Sequence, residues 1–207
     1  MGPGWHETER IQMIILYGMP LSGHVHRVRL LLSMLDLEYR FEVVDASAPE
    51  LLRLNPLGQV PVLRDGDLVL ADSNAILVYL AKAYGAGTHW LPDDAVGAAH
   101  VQRWLSIAAG ELRQGPAAAR MVALFGKAGE PADARARAAG LLTFMDRWLD
   151  GRAYLAAACP TLADLACYGY TAHAPEGGVS LEPYLHVRAW LERIEALPRF
   201  VPLPWRD

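Results

Sequence analysis

The chain has 207 residues, 53% of them apolar, with a formal net charge of −4. That length supports one large domain or two small ones around a well-filled core, and a mild, dispersed acidic balance leaves no electrostatic footprint for nucleic acid or an anionic membrane. No apolar run reaches the ~20 positions of a membrane helix, the N-terminus lacks the basic-then-apolar order of a secretory signal, and Cys159 and Cys167 build no disulfide framework, so the expected location is the cytoplasm.

In chain order, residues 1–12 are polar and aperiodic and are expected to be a flexible extension or the product of a start-site choice. A first domain is expected over residues 13–86. Met13 to Tyr17 is a short apolar run that predicts a strand buried on both faces. Val25, Val28, Leu32 and Leu35 recur on one helical face from about Gly23 to Leu35, and Leu30, Leu31 and Met34 widen it. Tyr39, Phe41 and Val43 alternate with charged residues, the period of a strand. A short irregular or helical piece, Pro49 to Leu54, leads to Val60-Pro61-Val62-Leu63; Asp65-Gly66 then predicts a hairpin into Leu68 to Leu70. Ile76, Leu77, Leu80, Ala81 and Tyr84 complete the order β-α-β-(α)-β-β-α.

After Tyr84 the pattern changes. Gly85-Ala86-Gly87 and Pro92 mark a linker, and residues 92–207 show helical periodicity alone. One stripe is Val101, Trp104, Leu105, Ala108 and Leu112; a second, entered through Pro131, runs from Ala138 through Leu141, Leu142, Met145, Trp148 and Leu149. A third begins at Thr161-Leu162-Ala163-Asp164, the spacing of a capping box. The fourth, Val187 to Leu197, stops at Pro198. Mixed strands and helices followed by helices alone predict an α+β two-domain chain.

Three places in the first half bear on chemistry. Ser22 stands just past the first strand at the mouth of the first helix. A serine there caps the helix, and the same helix start favours a thiolate or other anion. Asn55-Pro56-Leu57-Gly58-Gln59-Val60-Pro61 is either a plain loop into a strand or a segment whose Val60 backbone pairs with an extended ligand. Asp72 and Ser73 are ordinary capping residues, yet a carboxylate beside free helix-start amides also suits an α-amino-acid head group.

Taken together, Tyr-Gly-x-x-x-Ser22, Asn-Pro-x-Gly-Gln-Val-Pro and Asp72-Ser73-x-Ala-Ile resemble the cytosolic glutathione transferases, and Ser22-Gly23-His24-Val25-His26-Arg27 is most similar to the serine-using plant and bacterial branches. The resemblance covers residues 13 to about 204, with Pro160-Thr161-Leu162-Ala163-Asp164 matching the family's capping box. It implies a thioredoxin-like glutathione-binding domain followed by an all-helical domain. Glutathione would be the co-substrate, with no metal, and the thiolate would be conjugated to a small apolar electrophile. Ser22 would stabilise that thiolate; Val60 would pair with the cysteinyl unit, with Pro61 cis; Gln59, Asp72 and Ser73 would hold the tripeptide's ends. Thr161 and Asp164 would be structural. Trp104, Ile107, Glu111 and Met121 would line the electrophile pocket. A homodimer is implied as well. The same scaffold also suits a glutathione-dependent disulfide or peroxide reductase, or a non-catalytic binding module.

One departure stands out. The basic His-Lys pair that grips the glycine carboxylate in serine-type relatives is replaced by Asp45-Ala46-Ser47-Ala48-Pro49-Glu50, leaving Arg40 or Arg53 as substitutes. Losing such a contact costs about 1.5–3 kcal/mol. Other residues read as ordinary. Tyr17 is expected in the core, His24 and His26 diverge on a helix rather than pairing on a metal, and Cys159 and Cys167 read as packing.

Overall fold

Five consecutive buried residues form β1 (Ile14–Gly18), and they are buried because β1 lies inside the sheet. The order is β2-β1-β3-β4. β2 (Tyr39–Val43) runs parallel to β1, and β3 (Val62–Asp65) runs antiparallel to it. The parallel pair needs a crossover, which α1 (Gly23–Met34) supplies. The pleat sends Ile14 and Leu16 to one face, against α1 and α3 (Ser73–Tyr84); Ile15 and Tyr17 face the other way, against Leu51 of α2 (Pro49–Leu54) and Val62. The coordinates are a computed structural model that describes residues 13–206; the expected flexible extension over residues 1–12 lies outside the described residues.

Two local expectations shift. Asp65 remains in the ladder opposite Leu68 of β4 (Leu68–Ala71), so the two-residue turn is Gly66-Asp67 rather than Asp65-Gly66, with Gly66 at φ +58°. Val43 ends an edge strand with nothing packed over it and is 66% exposed, although Tyr39 and Phe41 are half-buried as the alternation predicts.

The remainder is helical: α4 (Ala95–Ala109), a π turn (Arg113–Ala117), α5 (Ala118–Phe125), α6 (Pro131–Leu149), α7 (Leu162–Ala172), a 3-10 turn (Ala174–Gly177) and α8 (Leu185–Glu195). Four stripes therefore become five α-helices. The stripe from Val101 to Leu112 breaks at Gly110. Beyond it Pro116, which has no N–H and crowds the preceding turn, sits in the wider π geometry before α5 resumes.

Every residue of α7 from Leu162 to Thr171 is buried, as an all-round core helix requires. It starts with the Thr161–Asp164 capping box. Asp164 also accepts from the Leu155 amide and Trp190 Nε1, both at 2.9 Å. α7 packs on α1 and α4, so one apolar core runs from Leu16 and Val28 through Trp104 and Leu165 to Trp190. The linker is stitched to it: Trp90 is buried and its carbonyl accepts from Leu162 N at 2.8 Å. Among the described residues no helix is long and apolar enough to cross a membrane.

Candidate active site

Sheet direction assembles the site. β3 returns antiparallel beside β1, and β4 antiparallel beside β3, so the end of β1, the start of β3 and the end of β4 meet. Tyr17 opposes Val62, and Val62 opposes Ala71. Val60-Pro61 directly precede β3, Asp72-Ser73 directly follow β4 and Ser22 lies four positions past the end of β1, so the three stand at one end of the sheet. Side chains confirm the approach: Ser73 Oγ lies 3.4 Å from His24 Nδ1.

Ser22 caps α1 in extended backbone and accepts from the Val25 amide at 3.3 Å. Its hydroxyl is half-buried. Behind it the Tyr170 ring of α7 packs so closely on Gly23 that a Cβ there would stand 2.8 Å from the ring. Burial pushes the Tyr170 phenol up, while Arg27, Arg120, the His24 amide and the Ser22 hydroxyl pull it back.

The Val60-Pro61 bond is cis. Asn55 shapes the approach to it: its Nδ2 donates to the Gln59 carbonyl at 2.8 Å and its Oδ1 accepts from Leu57 N at 3.2 Å. The Gln59 side chain is exposed and Val60 is half-buried. Among the described residues no backbone hydrogen bond takes up the Val60 N–H or C=O.

Asp72 caps α3 at φ +72°, its Oδ1 accepting from the Asn74 and Ala75 amides at 2.9 Å each. Ser73 is buried, with its hydroxyl between His24 and Arg27. Arg27 escaped the sequence reading. It is 1% exposed, and its Nη1 donates to Ser73 Oγ at 3.3 Å and Asn74 Oδ1 at 2.8 Å, both neutral oxygens. Its one legible signal was a cation set among the apolar residues that widen the α1 stripe. Burial, then Arg27 and Arg113, lowers His24 to about 3, so the imidazole beside Ser73 is neutral near pH 7.

The four residues expected to line an electrophile pocket do not come together. Ile107 and Glu111 border an open cleft of about 950 Å³ with Arg103, Gln114 and Phe144. Trp104 lies behind that wall at 1% exposure, stacked on Phe144 at 5.7 Å; its helical spacing with Val101 and Leu105 marks it as core. Met121 is half-buried on α5, away from the cleft's lining. Arg40 pairs with Glu42 at 2.6 Å on the outer strand, whereas Arg53 is exposed at the end of α2.

Tyr17 is in the core. Cys167 is buried and its thiol is pushed up to about 12, while Cys159 sits on the irregular segment before α7 rather than on a helix. His26 turns away from His24 and donates through Nε2 to the Val201 carbonyl at 2.7 Å. Among the described residues no group of three or more His, Cys, Asp or Glu is placed to hold a metal.

A mixed four-stranded sheet with an active-site-like end, docked on a helical half through α7, defines a two-domain protein with a thioredoxin-like first domain. The glutathione S-transferase N-terminal-domain model matches residues 16–88 and the C-terminal-domain model residues 117–198, and the chain belongs to this family. It is 37% identical to glutathione S-transferase 3 of Zea mays, over 91% of this chain and 95% of the relative. A glutathione S-transferase from Pseudomonas fluorescens Pf-5 superposes with a TM-score of 0.86 at 31% identity, covering 92% of this chain and 98% of its own. A Drosophila mojavensis glutathione transferase homologue with bound glutathione has a TM-score of 0.79 at 30% identity, covering 90% and 89% of the two chains.

Proposed function

We propose that the protein is a cytoplasmic glutathione transferase that binds glutathione at this end of the sheet and joins its thiolate to a small apolar electrophile. The observation that carries the reading is the convergence of the Ser22 hydroxyl, the unpaired Val60 backbone and the α3 start at Asp72-Ser73. Each suits one part of an extended thiol tripeptide. The Ser22 hydroxyl donates to the sulfur, and the start of α1 favours the anion there; a free thiol titrates near ~8.5, and such surroundings lower it. Val60 pairs with the cysteinyl unit as an added strand would. The Ser73 amide and hydroxyl take the γ-glutamyl carboxylate, Asp72 takes the ammonium, and Gln59 takes part in gripping the ends. Asp72 supports this assignment through its left-handed backbone, which costs about 1–3 kcal/mol and is typical of ligand clamps.

The reaction follows from positioning and thiolate activation. The thiol loses its proton to solvent on binding, the sulfur attacks the electrophilic carbon to form the C–S bond, and a leaving group departs with its electron pair. The electrophile rests against the wall that carries Ile107 and Glu111, in a homodimer. Cys167 is buried with its thiol pushed up to about 12, so it does not supply a nucleophile that would replace the bound thiolate.

Titrating glutathione and S-hexylglutathione by calorimetry tests the binding half, with micromolar to low-millimolar affinity expected. Replacing Ser22 by alanine should raise the pKa of the bound thiol and lower turnover by ~10². An active Ser22→Ala enzyme with an unshifted thiolate titration would overturn the assignment. Sedimentation as a monomer at micromolar concentration would overturn the dimer.

A further inference from the structure

Outside the proposed glutathione site, the most consequential buried charge is Arg120. It lies on α5 in the helical half and is 1% exposed. Its Nε donates to Glu176 Oε2 at 2.5 Å, and its Nη1 donates to the carbonyl of Leu21 at 2.7 Å, 99 positions earlier in the chain. Glu176 itself is held on all sides. Its Oε2 meets His173 Nδ1 at 2.8 Å, and its Oε1 accepts from the Arg206 amide at 3.1 Å. Trp205 stacks over His173 with ring centroids 4.1 Å apart. Despite burial, the three donors hold the Glu176 carboxyl below its usual range. Gly177 belongs to the same packing, since a Cβ there would meet the Arg120 backbone nitrogen at 2.8 Å.

A guanidinium taken out of water costs several kcal/mol unless paired, and Glu176 supplies the pair. Because the guanidinium is a rigid planar fork, fixing Nε on Glu176 fixes the direction of Nη1. That direction ends on the peptide immediately before Ser22. Leu21 and Ser22 are half-exposed; Ser22 is tied by its own N–H to the Met19 carbonyl at 3.1 Å and by its cap to the Val25 amide at 3.3 Å, whereas the Leu21 carbonyl is held from the helical half by Arg120. Nη2 is buried with no partner among the described residues.

We propose that Arg120 is a positioning residue which, from the helical half, holds the Leu21 carbonyl and so sets the direction of the Ser22 hydroxyl toward a bound sulfur. What Ser22 does there rests on the function proposed above; that Arg120 orders the loop does not. The helical half then contributes to thiolate activation without touching glutathione, and the Trp205-Arg206 segment acts on the loop through Glu176.

The test replaces the pair together, Arg120→Met with Glu176→Met, because exchanging a buried ion pair for apolar side chains leaves no orphaned charge and often preserves folding. Two readouts are taken: amide hydrogen exchange of residues 19–26 in the free protein, and kcat, KM and the thiolate titration with glutathione. Faster exchange over that loop, kcat lowered about tenfold or more with KM little changed, and a raised thiol pKa are expected, since small misplacements of a catalytic group carry costs of that order. A folded double variant whose loop exchange and thiolate titration match the wild type overturns the proposal. If the double variant does not fold, Arg120→Lys, which keeps the charge but not the fork, is read the same way. If the wild type binds no glutathione, the function proposed above fails, and loop exchange alone decides the role of Arg120.

Discussion

Arg27 carries a full charge at 1% exposure and is hydrogen-bonded to two neutral oxygens, Ser73 Oγ and Asn74 Oδ1. Among the described residues no carboxylate pairs with it. An anion bound at the start of α3 would be its counter-charge. Replacing Arg27 with methionine should therefore weaken glutathione binding by about tenfold to a hundredfold, the scale of one charge-assisted hydrogen bond. It should not lower the melting temperature, because an uncompensated buried charge is removed. Calorimetry and a thermal melt check both halves; unchanged affinity would refute the electrostatic role. Ser22, Asp72 and Ser73 could be picked out from the sequence because a cap is a local property, readable from a few neighbouring letters. Arg27 could not, since its meaning comes from oxygens 46 and 47 positions away, and a lone arginine in an amphipathic stripe looks like any other solvated side chain.

At the scale of elements, α7 shows how far local signals reach. Thr161 and Asp164 have capping-box spacing in the sequence, and the box forms. The sequence did not disclose that Asp164 also gathers the Leu155 amide and the Trp190 indole N–H from two other segments. Asp164→Ala would leave three buried N–H donors, those of Leu155, Thr161 and Trp190, without their acceptor. At about 1–3 kcal/mol each, the expected loss is at least ~3 kcal/mol, read as a lowered urea midpoint. The π turn escaped prediction for a different reason. Its residues, Arg113-Gln114-Gly115-Pro116-Ala117, carry too few apolar side chains to announce a period, and the break at Gly110 hides within an otherwise regular stripe. Gly115 is set there by close approach, because an added Cβ would stand 2.8 Å from Ala138 N and 3.0 Å from Ala138 Cα of α6. Gly115→Ala should accordingly destabilise the protein by about 1–3 kcal/mol, as overpacking against backbone does, and the same melts would show it.

For the whole molecule, one continuous core spans the two halves that the sequence separated by their differing periodicities. Calorimetry should therefore record one cooperative transition rather than two. Two histidines on α1 contribute to its pH dependence. Burial lowers His26 to about 4 and His24 to about 3, while both titrate near ~6.5 once unfolded. Below that value the unfolded chain takes up protons that the folded one refuses. The stability these groups contribute is complete above about 6.5 and falls as pH drops toward 4, by up to about 1.4 kcal/mol per pH unit for each histidine. Urea midpoints at pH 7.5, 6 and 5 check it; a flat profile would contradict the assignment. The segment that follows α8 bears on the same helix. His26 donates to the Val201 carbonyl, Ser33 donates to the Arg199 carbonyl at 2.8 Å, and Arg199 also pairs with Asp36 just past the helix end. The 175 positions between His26 and Val201 are also an interval of synthesis. While the chain is still growing on the ribosome, α1 waits with its outer polar groups unanswered, and the helix capped by Ser22 is finished only when residues far downstream have been translated.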